Sequence, residues 1–183
     1  MKKVLAILAV AFASTAFAGG YAGIEYEDQD GRGSTSDSVG TAVILGYKDG
    51  STSYSGKVSS SKPSWGAGNI SNQYEARIKH KYSVMNVNPY LGLRLGERVN
   101  STSHFTYYAV DTGVVVPLSR TFDMDVSYRY RNAFDTDNNF QTNRFGIEGV
   151  YKVTNKDSLG LRYAQSYGDS ESNSLRLQYS RSF

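Results

Sequence analysis

The chain of 183 residues contains no cysteine and only 3 prolines. An exported chain without cysteine is not held by disulfide bonds and has no thiol that could be acylated as in a lipoprotein. No segment after residue 18 shows the 3.6-residue periodicity of an amphipathic helix, which excludes a helical membrane protein. Stability must therefore come from a core, a metal or closed backbone pairing.

The amino terminus has the pattern of a secretory signal peptide. Lys2 and Lys3 supply a positive start, an apolar run follows from Val4 to Phe17, and Ala16-Phe17-Ala18 is a small-residue cleavage site. We predict a signal peptide over residues 1–18 and a mature domain over residues 19–183. Removing the leader leaves 18 basic against 17 acidic residues, a balance that gives no indication of nucleic-acid binding.

Ten segments of the mature domain alternate apolar and polar residues at a period of two, which is typical of β-strands with one apolar face. A soluble β-sandwich would also alternate, but strands of about 9 to 11 residues favour a membrane barrel. We predict an all-β fold, a closed antiparallel up-and-down transmembrane β-barrel of ten strands, or eight if one hairpin is lost. The segments are Gly20 to Asp28, Ser38 to Lys48, Ser51 to Ser60, Asn72 to Tyr82, Asn88 to Glu97, Phe105 to Leu118, Thr121 to Arg131, Gln141 to Val153, Ser158 to Tyr167 and Ser174 to Phe183.

The connections between these segments alternate in length. Tight connections follow the second, fourth, sixth and eighth segments, at residues 48–51, 83–87, 117–120 and 154–157. Longer polar loops follow the odd-numbered segments, at residues 29–37, 61–71, 98–104, 132–140 and 168–173. Outer-membrane barrels have short periplasmic turns and longer extracellular loops, so this alternation places both termini on the periplasmic side.

The layout resembles that of the small bacterial outer-membrane β-barrel proteins. The final strand carries Leu175, Leu177, Tyr179 and Phe183 on one face and resembles the family's assembly signal, from which it departs at Arg181. The resemblance implies an outer-membrane location, contact with outer-membrane lipid and lipopolysaccharide, and insertion by the barrel-assembly machinery. Ser127 to Arg131, followed by Asn143 to Gly146, also faintly resembles segments of oligogalacturonate-specific porins.

The inward face carries many charged residues, with an excess of basic ones. A filled, self-neutralising core would explain most of them, but the surplus predicts a lumen that favours anions. The predicted basic lumen residues are Arg77, Lys79, Arg94, Arg129, Arg131, Arg144, Arg162 and Arg176, and the predicted acidic ones are Glu25, Glu75, Asp111, Asp123, Asp125 and Glu148. Glu27, Lys57, Lys81 and Arg98 share the same face or its rim.

Directly opposed residues in a hairpin have numbers that sum to a constant, which predicts cross-strand neighbours. The predicted pairs are Glu148 with Arg162, Asp111 with Arg129, Glu75 with Arg98 and Lys79 with Arg94. Arg131, Arg144 and Arg176 are left without a carboxylate on a neighbouring strand, although Glu25 and Glu27 are candidates to reach Arg176 across the closing seam.

These features predict a narrow porin-like channel for small anionic solutes, since ten strands give a backbone radius of roughly 10 Å. The alternative is a non-conducting barrel for adhesion or envelope integrity that acts through its extracellular loops, where Trp65 is the one aromatic anchor. An enzyme is not predicted, because His80 has lipid-facing parity and His104 lies far from Asp123 and Asp125. No cluster has metal-ligand spacing, and no cofactor is predicted.

Overall fold

Ten antiparallel strands make up the barrel in the computed structural model, which describes residues 19–33, 35–64, 69–101, 103–135 and 140–183. The predicted signal peptide lies outside the described residues. The strands are β1 (Gly20–Arg32), β2 (Ser38–Asp49), β3 (Thr52–Pro63), β4 (Ser71–Lys81), β5 (Asn88–Val99), β6 (His104–Pro117), β7 (Phe122–Ala133), β8 (Thr142–Lys152), β9 (Asp157–Gly168) and β10 (Glu171–Ser182).

The sheet closes on itself because β1 pairs with both β2 and β10. Each strand is antiparallel to its neighbours, and β1 meets β10 over twelve residue pairs, from Tyr21 with Ser182 to Arg32 with Glu171. The Phe183 amide donates a further hydrogen bond of 2.9 Å to the Gly20 carbonyl. Closure removes the unpaired edges of an open sheet. The predicted closed ten-stranded antiparallel barrel is thus confirmed.

The last loop is shorter than its sequence suggests. We predicted a connection over residues 168–173, but β9 ends at Gly168 and β10 begins at Glu171. Asn173 pairs with Gln165 and Ser172 with Ser166, so the ladder continues into the polar segment. Gly168 makes the sharp bend possible with a φ of +102°, a region that residues with a Cβ rarely adopt.

The connection between β4 and β5 shifts the predicted register by two residues. Glu75 lies opposite Gly96, and Arg77 opposite Arg94, so the predicted pairs Glu75 with Arg98 and Lys79 with Arg94 are wrong. An isolated bridge between Val84 and Val87 centres the turn one residue earlier than predicted. A shift of two residues preserves the side-chain parity, which is why the inward and outward faces are unchanged.

The apolar side chains point outward and form a belt around the barrel. Leu95 and Ile147, for example, are 59% and 55% exposed. The buried side chains include Glu25, Glu75, Asp111 and the arginines that face them across the lumen. An apolar exterior around a polar interior is the arrangement of a transmembrane barrel. In the part of the chain that the structure describes, no helix combines the length and apolar character needed to cross a membrane.

Candidate channel lumen

The side chains predicted to line the lumen occupy inward positions of the barrel. Their strands pair so that inward residues face inward residues throughout, as in Asp111 with Arg129 and Glu148 with Arg162. Both of those predicted pairs are in register. Most of these groups meet at mid-height in what we call the ion-pair layer: Glu25, Glu27, Lys57, Glu75, Arg77, Arg94, Asp111, Arg129, Arg144, Glu148, Arg162 and Arg176.

Asp111 is the hub of one half of the ion-pair layer. Arg129 Nε donates a 2.8 Å hydrogen bond to Oδ1, and Arg94 Nε donates a 2.5 Å bond to Oδ2. Arg77 Nε lies 3.0 Å from Oδ2. Arg94 also donates to Glu75 through its Nη1. The four strands β4 to β7 are therefore joined through buried charges, which attract one another strongly in a weakly screened interior.

Arg176 is the centre of the other half of the layer, beside the seam between β1 and β10. Its Nη1 lies 3.2 Å from Glu25 Oε1, and its Nη2 donates a 3.3 Å hydrogen bond to Glu148 Oε2. Lys57 donates to the second oxygen of Glu25. Glu25 thus reaches Arg176 across the seam as the sequence suggested, and Arg176 has two carboxylate partners.

Arg144 also has a carboxylate partner, although none lies on a neighbouring strand. Its Nη2 donates one hydrogen bond to Glu27 Oε1 and another, of 2.5 Å, to Ser174 Oγ. Glu27 lies on β1, which is separated from β8 by two strands, so this pair crosses the lumen rather than a hairpin. Neighbouring-strand arithmetic does not reach such a pair, which is why it left Arg144 without a carboxylate.

Inward tyrosines are a structural feature that the sequence analysis missed. The paired positions Tyr107 and Gly96 place the tyrosine ring directly over the glycine, where an added Cβ would lie 2.2 Å from the ring. Tyr21 covers Gly46 and Tyr90 covers Gly113 in the same way. An aromatic residue paired with a glycine at an inward position is the sequence signal that identifies them.

A vestibule of about 310 Å³ extends from the ion-pair layer towards the outer loops. Glu75 and other members of the layer belong to its lining, and the neighbouring Tyr107 is completely buried. The Tyr107 hydroxyl donates a 3.1 Å hydrogen bond to Glu75 and accepts one of 2.5 Å from Gln73. Hydroxyl and amide side chains line much of the wall, including Gln29, Ser59, Ser61, Ser71, Gln73, Thr142, Ser166 and Ser172.

Two arginines of the vestibule stand outside the ion-pair layer. Arg98 Nε donates a 2.8 Å hydrogen bond to Ser71 Oγ, and Arg131 Nε donates a 3.1 Å bond to Thr142 Oγ1. Among the described residues, no carboxylate oxygen lies within 4 Å of either guanidinium. Arg131 is therefore the one member of the predicted unpaired set that retains a free charge within the described part of the chain.

The periplasmic half of the lumen contains lysines and aspartates at different positions. Lys79 Nζ lies 4.6 Å from the centre of the Tyr90 ring, a cation–π contact. Asp125 accepts a 3.0 Å hydrogen bond from the Tyr90 hydroxyl, and Asp123 lies 2.9 Å from Lys152 Nζ. Both aspartates thus have partners that explain them as structural groups.

The two histidines do not meet the lumen carboxylates. His80 Nδ1 is 2.8 Å from Thr52 Oγ1 on the outward face of β4. His104 contacts Glu97 on the outer surface near the extracellular ends of β5 and β6. The described residues contain no group of three or more histidine or acidic side chains that could hold a metal ion.

The predicted assembly signal lies on the outer face of β10. Leu175 and Leu177 are about half exposed, and Tyr179 donates a 2.6 Å hydrogen bond to Asp157. Arg181, where the strand departs from the family pattern, lies 3.2 Å from the same Asp157 side chain. The departure is therefore accommodated by a carboxylate on the adjacent strand β9.

Known proteins resemble this chain in structure rather than in sequence. No protein-family model and no curated protein matches it. An outer membrane channel from Pseudomonas putida F1 aligns over 93% of this chain and 98% of its own, with 10% identity and a TM-score of 0.63. The translocator domain of autotransporter NalP from Neisseria meningitidis aligns over 100% and 95%, with 9% identity and a TM-score of 0.54. The NanC porin aligns over 87% and 100%, with 10% identity and a TM-score of 0.54.

A KdgM porin in complex with disordered oligogalacturonate aligns over 89% of this chain at 13% identity, with a TM-score of 0.49. Identities this low establish a common fold and no common ligand. The chain therefore has the closed transmembrane β-barrel fold of bacterial outer-membrane proteins, here built from ten strands.

Proposed function

We propose that the protein is a narrow, porin-like channel of a Gram-negative outer membrane with a basic lumen that favours small anionic solutes. The observation that carries this proposal is the presence of cations outside the ion-pair layer at both ends of the lumen. Arg98 and Arg131 lie at the outer end, and Lys79 and Lys81 lie at the inner end. In the described residues, none of the four has a carboxylate oxygen within 4 Å.

Charge selectivity follows from this distribution. The carboxylates of the ion-pair layer each contact at least one arginine or lysine, so they present little free negative charge to a passing solute. The cations at the two ends attract anions and repel cations over about a Debye length, which is about 8 to 10 Å near physiological salt. The ion-pair layer is the narrowest part of the proposed channel. It therefore limits the channel to a low conductance and to small solutes.

The fold of known channels supports the same reading. The Pseudomonas putida protein is an outer membrane channel and NanC is a porin, and both share the barrel architecture. We further propose export by a cleaved signal peptide, insertion by the barrel-assembly machinery, and contact of the apolar belt with outer-membrane lipid and lipopolysaccharide. The partners of the lumen are small anionic solutes, and no enzymatic activity is part of the proposal.

Single-channel recording in planar bilayers tests the proposal. We expect small conductance steps with a reversal potential that indicates anion preference. The double variant Lys79→Gln, Lys81→Gln should reduce this preference, because it removes two charges from the inner end. The control is Lys156→Gln, which removes the same charge from the turn before β9. Silence in bilayers, or a cation preference that the double variant leaves unchanged, would contradict the proposal.

A second candidate function is favoured by the ion-pair layer itself. Charges from all parts of the wall meet at mid-height, as in the Glu27 to Arg144 pair across the lumen, and such a layer can seal a barrel. The protein would then be a non-conducting barrel for adhesion or envelope integrity that acts through its extracellular loops. Trp65, the predicted anchor, lies outside the described residues. Loss of attachment to cells on replacing residues 64–70, together with silent bilayers, would favour this candidate.

A further inference from the structure

The vestibule holds two cations in a setting unlike that of the ion-pair layer. Arg98 reaches it from β5, and Arg131 reaches it from β7. Both guanidinium groups line the same cavity. Two like charges that face one cavity raise the energy of the empty site, and a bound anion would remove that repulsion.

Arg131 is held in a fixed orientation by its neighbours. Its Cζ lies 5.3 Å from the centre of the Tyr107 ring and 5.0 Å from that of Phe140. Its Nε is engaged by Thr142 Oγ1 at 3.1 Å. Contact with two aromatic rings and one hydroxyl limits the positions of the guanidinium, and among the described residues no oxygen accepts a hydrogen bond from its two terminal nitrogens.

Arg98, on β5, has an equivalent arrangement. Ser71 Oγ accepts a 2.8 Å hydrogen bond from its Nε, and the described residues provide no acceptor for its terminal nitrogens. Each arginine therefore uses Nε for a neutral hydroxyl and keeps the other edge of its guanidinium for another acceptor. That edge has the fork geometry that binds carboxylate or phosphate oxygens through two parallel hydrogen bonds.

Tyr107 lies between Arg131 and Glu75. Its ring contacts Arg131, while its hydroxyl is already engaged by Glu75 and Gln73. Glu75 in turn contacts Arg94. Glu75 is thus engaged in the ion-pair layer and, among the described residues, forms no ion pair with Arg131.

We propose that Arg98 and Arg131 form a binding site for a small doubly charged oxoanion, a dicarboxylate or a phosphate, in the vestibule. This inference rests on the proposed function, because the bound anion is taken to be a solute of the channel. Two guanidinium forks match two negative charges. The cavity of about 310 Å³ lies at the lower end of the range for small-molecule sites, and its hydroxyl lining suits the polar remainder of such a ligand.

Isothermal titration calorimetry on the purified barrel in detergent micelles tests the site. Succinate and inorganic phosphate are titrated separately at low ionic strength. We expect one site for at least one of them, and a loss of affinity of at least tenfold in Arg98→Gln, Arg131→Gln. Neither arginine has a described carboxylate partner, so the double variant leaves no buried acid unpaired. Arg181→Gln, which removes an outer-surface charge on β10, is the matched control and should bind normally.

The outcomes separate the site from the channel. Binding of succinate alone identifies a carboxylate site, and binding of phosphate alone identifies a phosphate site. If neither anion binds the unaltered protein, or if the double variant binds as well as the control, the site is overturned. Binding without conductance would contradict the channel and leave the site intact, whereas anion-selective conductance without binding would overturn the site alone.

Discussion

Tyr107 donates a 3.1 Å hydrogen bond from its hydroxyl to Glu75, a residue two strands away. The tyrosine is completely buried, and its ring lies over Gly96 on the strand between them. One residue thus ties the polar interior to the backbone of a neighbouring strand. The packing of this ring is the reason that position 96 tolerates no side chain.

Gly96→Ala should destabilise the barrel. Its Cβ would lie 2.2 Å from the Tyr107 ring, so the ring must move and lose its hydrogen bonds. We expect a loss of about 1 to 3 kcal/mol in the free energy of unfolding, measured by urea unfolding in micelles. Gly56→Ala is the matched control, because an added Cβ there meets nothing within 4 Å. Equal losses in the two variants would contradict this account of the packing.

Asp111→Asn should lower the free energy of unfolding more than the replacement of an exposed aspartate by asparagine. The change leaves Arg77, Arg94 and Arg129 without their shared carboxylate. Removing one partner of a buried ion pair costs about 3 to 5 kcal/mol, and urea unfolding should show a loss of this order. Asp49→Asn, at an exposed position at the end of β2, is the control. A stability like that of the control would show that water screens the cluster.

Met85 lies in the turn between β4 and β5 with a φ of +52° and is fully exposed. A left-handed conformation costs a residue with a Cβ about 1 to 2 kcal/mol. Met85→Gly should therefore leave stability unchanged or raise it, while Met85→Val should lower it, because branching at Cβ makes this region less accessible. Thermal unfolding of both variants checks the order, and a Val variant as stable as the Gly variant would refute it.

Phe183→Ala tests the predicted assembly signal. We expect a smaller fraction of folded barrel in outer-membrane preparations, measured by the mobility difference between heated and unheated samples on gels. Arg181→Ala is the control, since it removes only an exposed contact with Asp157. A similar folded fraction for both variants and the unaltered protein would show that the terminal aromatic residue is not needed for assembly.

The fold was largely predictable because strand alternation and turn spacing are local properties. The sums that placed Asp111 opposite Arg129 and Glu148 opposite Arg162 depend only on the turn between two consecutive strands. The same rule failed for Glu75, because Val84 and Val87 form a bridge that recentres the turn. A turn with no glycine, such as residues 83–87, gives no signal for such a shift.

The partners of the lumen charges were only partly predictable. Lys57 with Glu25 and Arg144 with Glu27 join strands that are not neighbours. Their distances depend on barrel diameter, strand tilt and the rotamers of long side chains, none of which a pattern of period two contains. The sequence therefore predicts which charges face the lumen. Which of them form ion pairs depends on how the closed barrel brings distant strands together.

The hydrogen bond from Phe183 to Gly20 has a consequence for how the barrel is made. Nine of the ten strand pairings join segments that are consecutive in the chain, and the pairing of β1 with β10 joins its two ends. Long-range pairing incurs the loop-closure entropy of the whole intervening chain and forms slowly. The ring can be completed only after β10 has reached β1, so a chain truncated before β10 would keep two open edges.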